Sequence, residues 1–211
     1  MSDNYELFII DLGLCKPISD LQDSDNKVNK IYGVLPYMAP ELLRKKTYTP
    51  ASDIYSFSMI MWEFTSGIPP FNCKAHDNHL TLGICSKGER PEIIKTTPKC
   101  YIDLMKKCWD SDPSNRPTII MLEFIITEWI RGINKYYEIN KDGNYEYEVS
   151  DIDNQLKNDM LEFVEADKAL VQEQAGTSIT QYHSQAHYTS RELSEILVQG
   201  ESQGLDCMIE D

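Results

Sequence analysis

Residues 54–64, Ile-Tyr-Ser-Phe-Ser-Met-Ile-Met-Trp-Glu-Phe, are apolar on nearly every face of the helix they predict. A helix of that kind is buried on all sides, so the chain has to surround this segment with other elements rather than carry it on a surface. Its ends are marked. Thr49 is placed to cap it, Pro50 suits the first helical position, and Ser52 and Asp53 follow in a first turn where a carboxylate favours the helix dipole. Gly67, ahead of Pro69-Pro70, stops it. Three more helices are predicted around it, over about residues 76–85, 99–109 and 118–131, the last ending before Gly132. The β signal is confined to residues 5–10, which break off at Asp11-Leu12-Gly13, where glycine permits a sharp change of direction. Residues 14–35 are polar, of mixed charge and without period, and read as a long mobile loop carrying the hydroxyls of Ser19, Ser24 and Tyr32. The fold class is therefore mainly α, a helical body around one buried helix.

Charge divides the chain in two. Residues 1–134 carry 15 Lys and Arg against 17 Asp and Glu, whereas residues 135–211 carry 5 against 17, which accounts for most of the net charge of −14. All ten prolines and all three tryptophans lie in the first part, so the folded body is placed at 1–134 and an acidic, partly helical or disordered tail at 135–211. In the tail, Ile152, Leu156, Met160, Phe163 and Leu170 fall near one face of an amphipathic helix, and a second short helix is predicted over residues 191–198 behind Thr189-Ser190. The Gln-, Ser- and His-rich stretch between them and the acidic end, residues 201–211, read as disordered. The tail is expected to be a solvated extension that the first part does not need for folding, with a docking or regulatory arm as the functional alternative. A pI near 4.7 excludes non-specific nucleic-acid binding. The densest apolar stretch, residues 118–126, is broken by Glu123 and falls short of the roughly 18 apolar residues a membrane span needs. Six cysteines at irregular spacings suit reduced thiols, and the first six residues have no signal-peptide character, so a cytoplasmic protein is expected.

Five short motifs carry more than periodicity. They are Asp11-Leu12-Gly13, Tyr37-Met38-Ala39-Pro40-Glu41, residues 52–57 with Trp62-Glu63, Cys108-Trp109, and Asp112-Pro113-Ser114-Asn115-Arg116-Pro117. In this order and spacing they resemble the back half of a eukaryotic protein kinase domain, over roughly residues 7–131, and the Trp-Glu and Cys-Trp elements look most like the tyrosine-kinase-like group. The resemblance implies a partial C-terminal lobe with a short residual strand or hairpin. It implies that Asp11 binds the Mg²⁺ bridging ATP phosphates, since a hard cation takes carboxylate oxygen, and so is both the metal and the cofactor-binding residue. It also implies structural roles for Gly13 in the turn, for Glu41 and Arg116 as a buried ion pair, and for Asp53 as acceptor of hydrogen bonds from the catalytic-loop backbone. Taken singly, Asp11 would be a turn residue and Glu41 and Arg116 solvated charges; the ordered set reverses that. Residues 14–35 correspond to the activation loop, which makes Ser19, Ser24 and Tyr32 candidate phosphosites. Leu12 stands where Phe is commoner and keeps a bulky apolar anchor. Val34 stands where such kinases usually carry Thr, and lacks the hydroxyl that bonds within the catalytic centre. Trp62 and Trp109 read as core.

Cys73, His76, His79 and Cys85 are zinc-donor types, but their spacing is not a standard one and they fall in the family's variable stretch, so they are read as ordinary side chains. The 211 residues contain no G-x-G-x-x-G loop, no Val-Ala-Ile-Lys and no His-Arg-Asp-x-x-x-x-Asn, so no residue here is read as catalytic. The implied activity, in the complete family domain with ATP and Mg²⁺, is phosphorylation of protein Ser or Thr, or of Tyr. This chain is expected to be a fragment of such a kinase that is inactive alone and binds neither cofactor tightly. The alternative is a catalytically inactive, pseudokinase-like scaffold. A protein substrate or signalling partner is expected, met through the apolar face that the missing elements leave or through the acidic tail.

Overall fold

The computed structural model describes residues 31–141, 149–150, 152–173, 182–194 and 196–197. The expected strand at 5–10, Asp11, Gly13, Ser19, Ser24 and the acidic end lie outside these residues. Helix α2 (Pro50–Ser66) starts in a reciprocal capping box, with the Thr49 N–H donating to Ser52 Oγ over 3.3 Å, and ends at Gly67 in the left-handed region at φ 69°. Tyr55 and Met59 on α2 are wholly buried, and Met61 and Trp62 nearly so. Helix α4 (Lys99–Cys108) lies along α2 and contributes Met105 and Cys108 to the same core, which Trp109, Leu122 and Trp129 complete. The burial of α2 is not all-round: Ile60 and Phe64, one turn apart, are 38% and 66% exposed.

Helix α1 (Pro40–Leu43) and helix α3 (Asn78–Ser86) pack together beside this core. Asp77 caps α3 by accepting from the His79 and Leu80 N–H groups. Leu35, Leu43, Phe71, Leu80 and Ile84 form a second cluster here.

Helix α5 (Ile119–Ile139) is capped by Thr118, whose Oγ1 accepts from the Met121 N–H. It runs through the expected boundary at 134 because its buried stripe continues past Gly132 to Ile133 and Tyr136. Gly132 is interior to the helix, not its stop. A Cβ built there would meet Leu156 at 3.7 Å and Met160 at 3.9 Å, which is ordinary contact. Gly132→Ala should therefore stabilise the chain by about 0.5–1 kcal/mol through reduced backbone entropy of the unfolded state, read as a higher urea midpoint with unchanged slope.

The tail corrects its reading as a solvated extension. Helix α6 (Asn154–Glu173) is packed against α4 and α5. Leu156, Met160 and Val164 are buried, Ile152 and Phe163 half-buried, and Leu170 is 50% exposed. Of the acidic residues on α6, Glu165 and Asp167 are exposed, whereas Asp159 and Glu162 face the body and accept from the Trp129 indole and the Cys100 N–H. The predicted short helix at 191–198 is also corrected at its start. Arg191–Glu192 form strand β2, antiparallel to β1 (Tyr32–Gly33), with Tyr32 opposite Glu192 and Gly33 opposite Arg191. Leu193 and Leu197 beyond it are buried in the second cluster. The described residues thus form a mainly helical body with one short two-stranded sheet.

Candidate functional site

Glu41 stands in the first turn of α1, and Arg116 follows a short 3₁₀ turn, Pro113–Asn115, opened by Asp112 accepting from the Ser114 N–H. Seventy-five residues apart in sequence, they meet in a two-point ion pair, Nη1 to Oε1 and Nη2 to Oε2, both 2.8 Å. The two side chains are 6% and 0% exposed. Further hydrogen bonds hold the pair: Ser52 Oγ donates to Glu41 Oε1, Arg116 Nη1 also donates to the Ala51 carbonyl, and Arg116 Nε donates to the Asp110 carbonyl. Burial alone would raise the Glu41 carboxyl, yet the Arg116 and Ser52 hydrogen bonds hold it below its ordinary value. One guanidinium thereby ties α1, the start of α2 and the loop after α4.

Two cations lie over the ring of Tyr55. The Arg116 and Arg90 guanidinium carbons are 5.3 and 5.0 Å from its ring centroid. Burial pushes its hydroxyl up to about 12 against the pull of both arginines. Arg90 holds the Trp109 carbonyl through Nε and Nη2, and Trp62 Nε1 donates to the Glu92 carbonyl, so both tryptophans of the motifs sit in the core. Sequence reasoning missed Arg90, which lies in a polar run without period. Its arginine-proline step offers no signal of its own.

The remaining candidates are placed separately. Asp53, on the first turn of α2, is exposed. Val34 is half-buried and its carbonyl accepts from the Tyr37 N–H. Tyr37 donates to Glu63 Oε2 over 2.6 Å, and burial followed by that carboxylate raises its hydroxyl well above the ordinary tyrosine value. Tyr32 is 48% exposed on β1, with its hydroxyl donating to Glu192 over 3.4 Å.

The four zinc-donor types do not converge. His76 is buried with Nε2 against the Phe71 carbonyl and Nδ1 accepting from the His187 N–H. Its burial pushes the imidazole below its ordinary value despite the backbone hydrogen bonds. Cys73 and His79 are exposed, and Cys85 Sγ contacts the Pro40 carbonyl at 3.6 Å. Among the described residues no three His, Cys, Asp or Glu side chains come together to hold a metal ion, and Asp11 lies outside them.

These features can be set beside known proteins. The family model described as protein tyrosine and serine/threonine kinase matches residues 1–125. A protein kinase and PP2C-like domain-containing protein of Arabidopsis thaliana is 38% identical over 131 residues, which are 53% of this chain and 20% of that protein. The serine/threonine/tyrosine-protein kinase HT1 of the same plant is 27% identical over 143 residues, 68% of this chain and 34% of its own. Mitogen-activated protein kinase kinase kinase 7 of Drosophila melanogaster is 34% identical over 110 residues, 52% and 16% of the two chains. The chain thus spans about a third or less of each relative.

Proposed function

This chain belongs to the protein tyrosine and serine/threonine kinase family, and we propose that it is the activation-segment and C-terminal-lobe portion of a kinase that transfers phosphate from ATP to a protein hydroxyl, chiefly Ser or Thr. The observation that carries the reading is the Glu41–Arg116 pair. It joins two of the five motifs across the core, and in such a lobe it anchors the end of the activation segment to the helical body. Such kinases use ATP with Mg²⁺, and the metal ion neutralises charge on the phosphoryl group in flight. The part proposed for these residues is different: a rigid body on which the activation segment is fixed and the protein substrate rests, in the cytoplasm. Asp11 is the proposed metal ligand, and Ser19, Ser24 and Tyr32 the proposed modification sites.

The missing half has a proposed seat. Phe64 on α2 and Ile120, Met121 and Phe124 on α5 are 66%, 74%, 55% and 67% exposed. Large apolar side chains at this exposure mark surfaces that meet other protein, and we assign them to the nucleotide-binding and catalytic-loop parts of the domain. The second reading, a scaffold without catalysis, would use the same exposed apolar side chains to hold another protein.

Transfer of labelled γ-phosphate to a generic protein substrate separates the two. The 211-residue chain should transfer no more than its Asp11→Ala variant, because positioning supplies most of the catalysis and one carboxylate cannot hold Mg-ATP in line. A product extended in frame through a catalytic loop and a β3 Lys should transfer, and lose at least a hundredfold with Asp11→Ala. A folded extended product that stays inert would favour the scaffold.

A further inference from the structure

The end of the chain lies on the body as a peptide lies on a receptor. The described residues of 182–197 are held by main-chain hydrogen bonds, His183 N–H to the Asn72 carbonyl (2.8 Å), His76 N–H to the Gln185 carbonyl (3.1 Å) and Leu193 N–H to the Ile31 carbonyl (2.8 Å), and by side-chain ones, Tyr188 Oη to the Pro70 carbonyl (3.0 Å), His187 N–H to His76 Nδ1 (3.0 Å) and Ile31 N–H to Ser194 Oγ (3.3 Å). The β1–β2 pairing adds its ladder. In β2 the side chains alternate. Arg191 and Leu193 face the body, with Arg191 Nη2 donating to the His76 carbonyl over 2.6 Å and Leu193 wholly buried, while Glu192 is exposed. Leu197, whose N–H donates to the Leu193 carbonyl, enters the same apolar pocket, formed by Leu35, Phe71, Leu80 and Ile84. Between these anchors most of the segment is exposed, including Tyr182, Gln185, His187, Thr189 and Ser190.

A two-residue strand pairing at a sheet edge, followed by a helical turn that carries Leu197 into the pocket, combines main-chain recognition with pockets for a few side chains. On the receiving side the apolar cluster is built from residues 35–84, and Leu193 and Leu197 of the strap complete it. We propose that residues 31–33 and the pocket of Leu35, Phe71, Leu80 and Ile84 form a docking surface for a segment of a partner protein with the pattern Arg-x-Leu-x-x-x-Leu, a short strand that turns into helix, and that the described residues between Arg191 and Leu197 of this chain occupy it as an internal ligand. An outside segment gains access by displacing the strap, so affinity for it is lowered by the effective concentration of a tethered competitor. The surface is independent of phosphotransfer. It adjoins the Glu41 anchor, so a bound segment would sit beside the end of the proposed activation segment.

The probe is a fluorescein-labelled synthetic peptide of residues 182–197, followed by anisotropy without ATP. The full chain carrying Leu193→Asp and Leu197→Asp should bind it at least tenfold more tightly than the unaltered chain, and a peptide with the same two changes should not bind. A folded variant that takes up no peptide, or equal binding by both chains, overturns the proposal. To guard against a variant that fails to fold, a protease recognition sequence is inserted within residues 174–181 of the otherwise unaltered chain and cut after purification. The severed strap should then exchange for labelled peptide while the far-ultraviolet circular dichroism of the body is retained. A strap that never exchanges, or a body that unfolds when it leaves, shows a core element rather than a ligand and overturns the proposal. Failure of phosphate transfer by the folded, extended product would sink the kinase reading and leave this surface standing; failure of peptide uptake would do the reverse.

Discussion

Arg116→Ala should lower the stability of this chain by about 3–5 kcal/mol, because the alanine leaves Glu41 as an unpaired charge inside the protein. The wild-type pair is nearly out of contact with water, at 0% and 6% exposure, so no solvent is at hand to replace the lost guanidinium. The loss extends beyond the pair. The Ala51 and Asp110 carbonyls lose their donor, and the Tyr55 ring loses one of its two cations. Set against about 5–15 kcal/mol for a typical domain, this is enough to leave much of the chain unfolded at 37 °C. Arg116→Lys keeps the charge but cannot form the two-point fork, and should recover only part of the loss. The pair also fixes a pH dependence. The Glu41 carboxyl is held below its ordinary value near 4.5, so its contribution is fully present above that pH and is lost as pH falls through the lowered folded value. Urea midpoints of wild type and Glu41→Gln, measured from pH 7 to pH 3, should converge towards the acid end. An Arg116→Ala midpoint equal to wild type would contradict the anchoring role.

How far this pair and its surroundings could be read from the chain depends on range. The ends of α2 are local chemistry: Thr49, Pro50, Ser52 and Gly67 act within a turn of where they stand, and the helix starts and stops there. Glu41 and Arg116 carry no local signal at all, since neither lies in a periodic run, and only the ordered motifs associate them. Arg90 belongs to no such motif, so its grip on Trp109 and Tyr55 emerges only when the chain is folded. Gly132 misleads because a glycine after a helical run reads as a stop, whereas the following Ile133 and Tyr136 continue the buried stripe of α5. Residues 191–192 mislead for another reason. Arg-Glu-Leu-Ser-Glu-Ile-Leu is rich in helix formers, but β1 offers an edge whose hydrogen bonds outweigh a local preference worth a few tenths of a kcal/mol per residue. In each case the error lies where a partner distant in sequence decides the conformation.

The same reasoning reverses the expectation that the tail is dispensable. A chain ending after Gly132 should fail to fold stably, and should aggregate at concentrations where the full chain remains dispersed. The truncation removes α6 and with it three buried apolar side chains, Leu156, Met160 and Val164. Each is worth about 1.5–3 kcal/mol of burial, on a scale where about 5–15 kcal/mol is all a domain has. It also uncovers the α5 face that α6 protects. Trp129, 6% exposed in the full chain, packs edge-on against Phe163 at 5.2 Å and donates its indole N–H to Asp159 over 2.7 Å. Without α6 the ring would face water and the indole donor would lose its acceptor. The start of α4 suffers as well. Pro98 provides no side-chain cap there, and Glu162 from α6 accepts from the Cys100 N–H over 2.6 Å in its place. That cross-helix cap can be tested without deleting anything: Glu162→Ala should cost about 1 kcal/mol, whereas Glu165→Ala on the exposed face of α6 should fall within about 0.5 kcal/mol of wild type. A truncated chain that unfolds cooperatively at the full-length midpoint would return the tail to the status of a solvated extension. Loss of cooperative unfolding, with a red-shifted tryptophan emission from the newly wet Trp129, would show that the helical body of this kinase-family chain is completed by residues lying beyond the family's match.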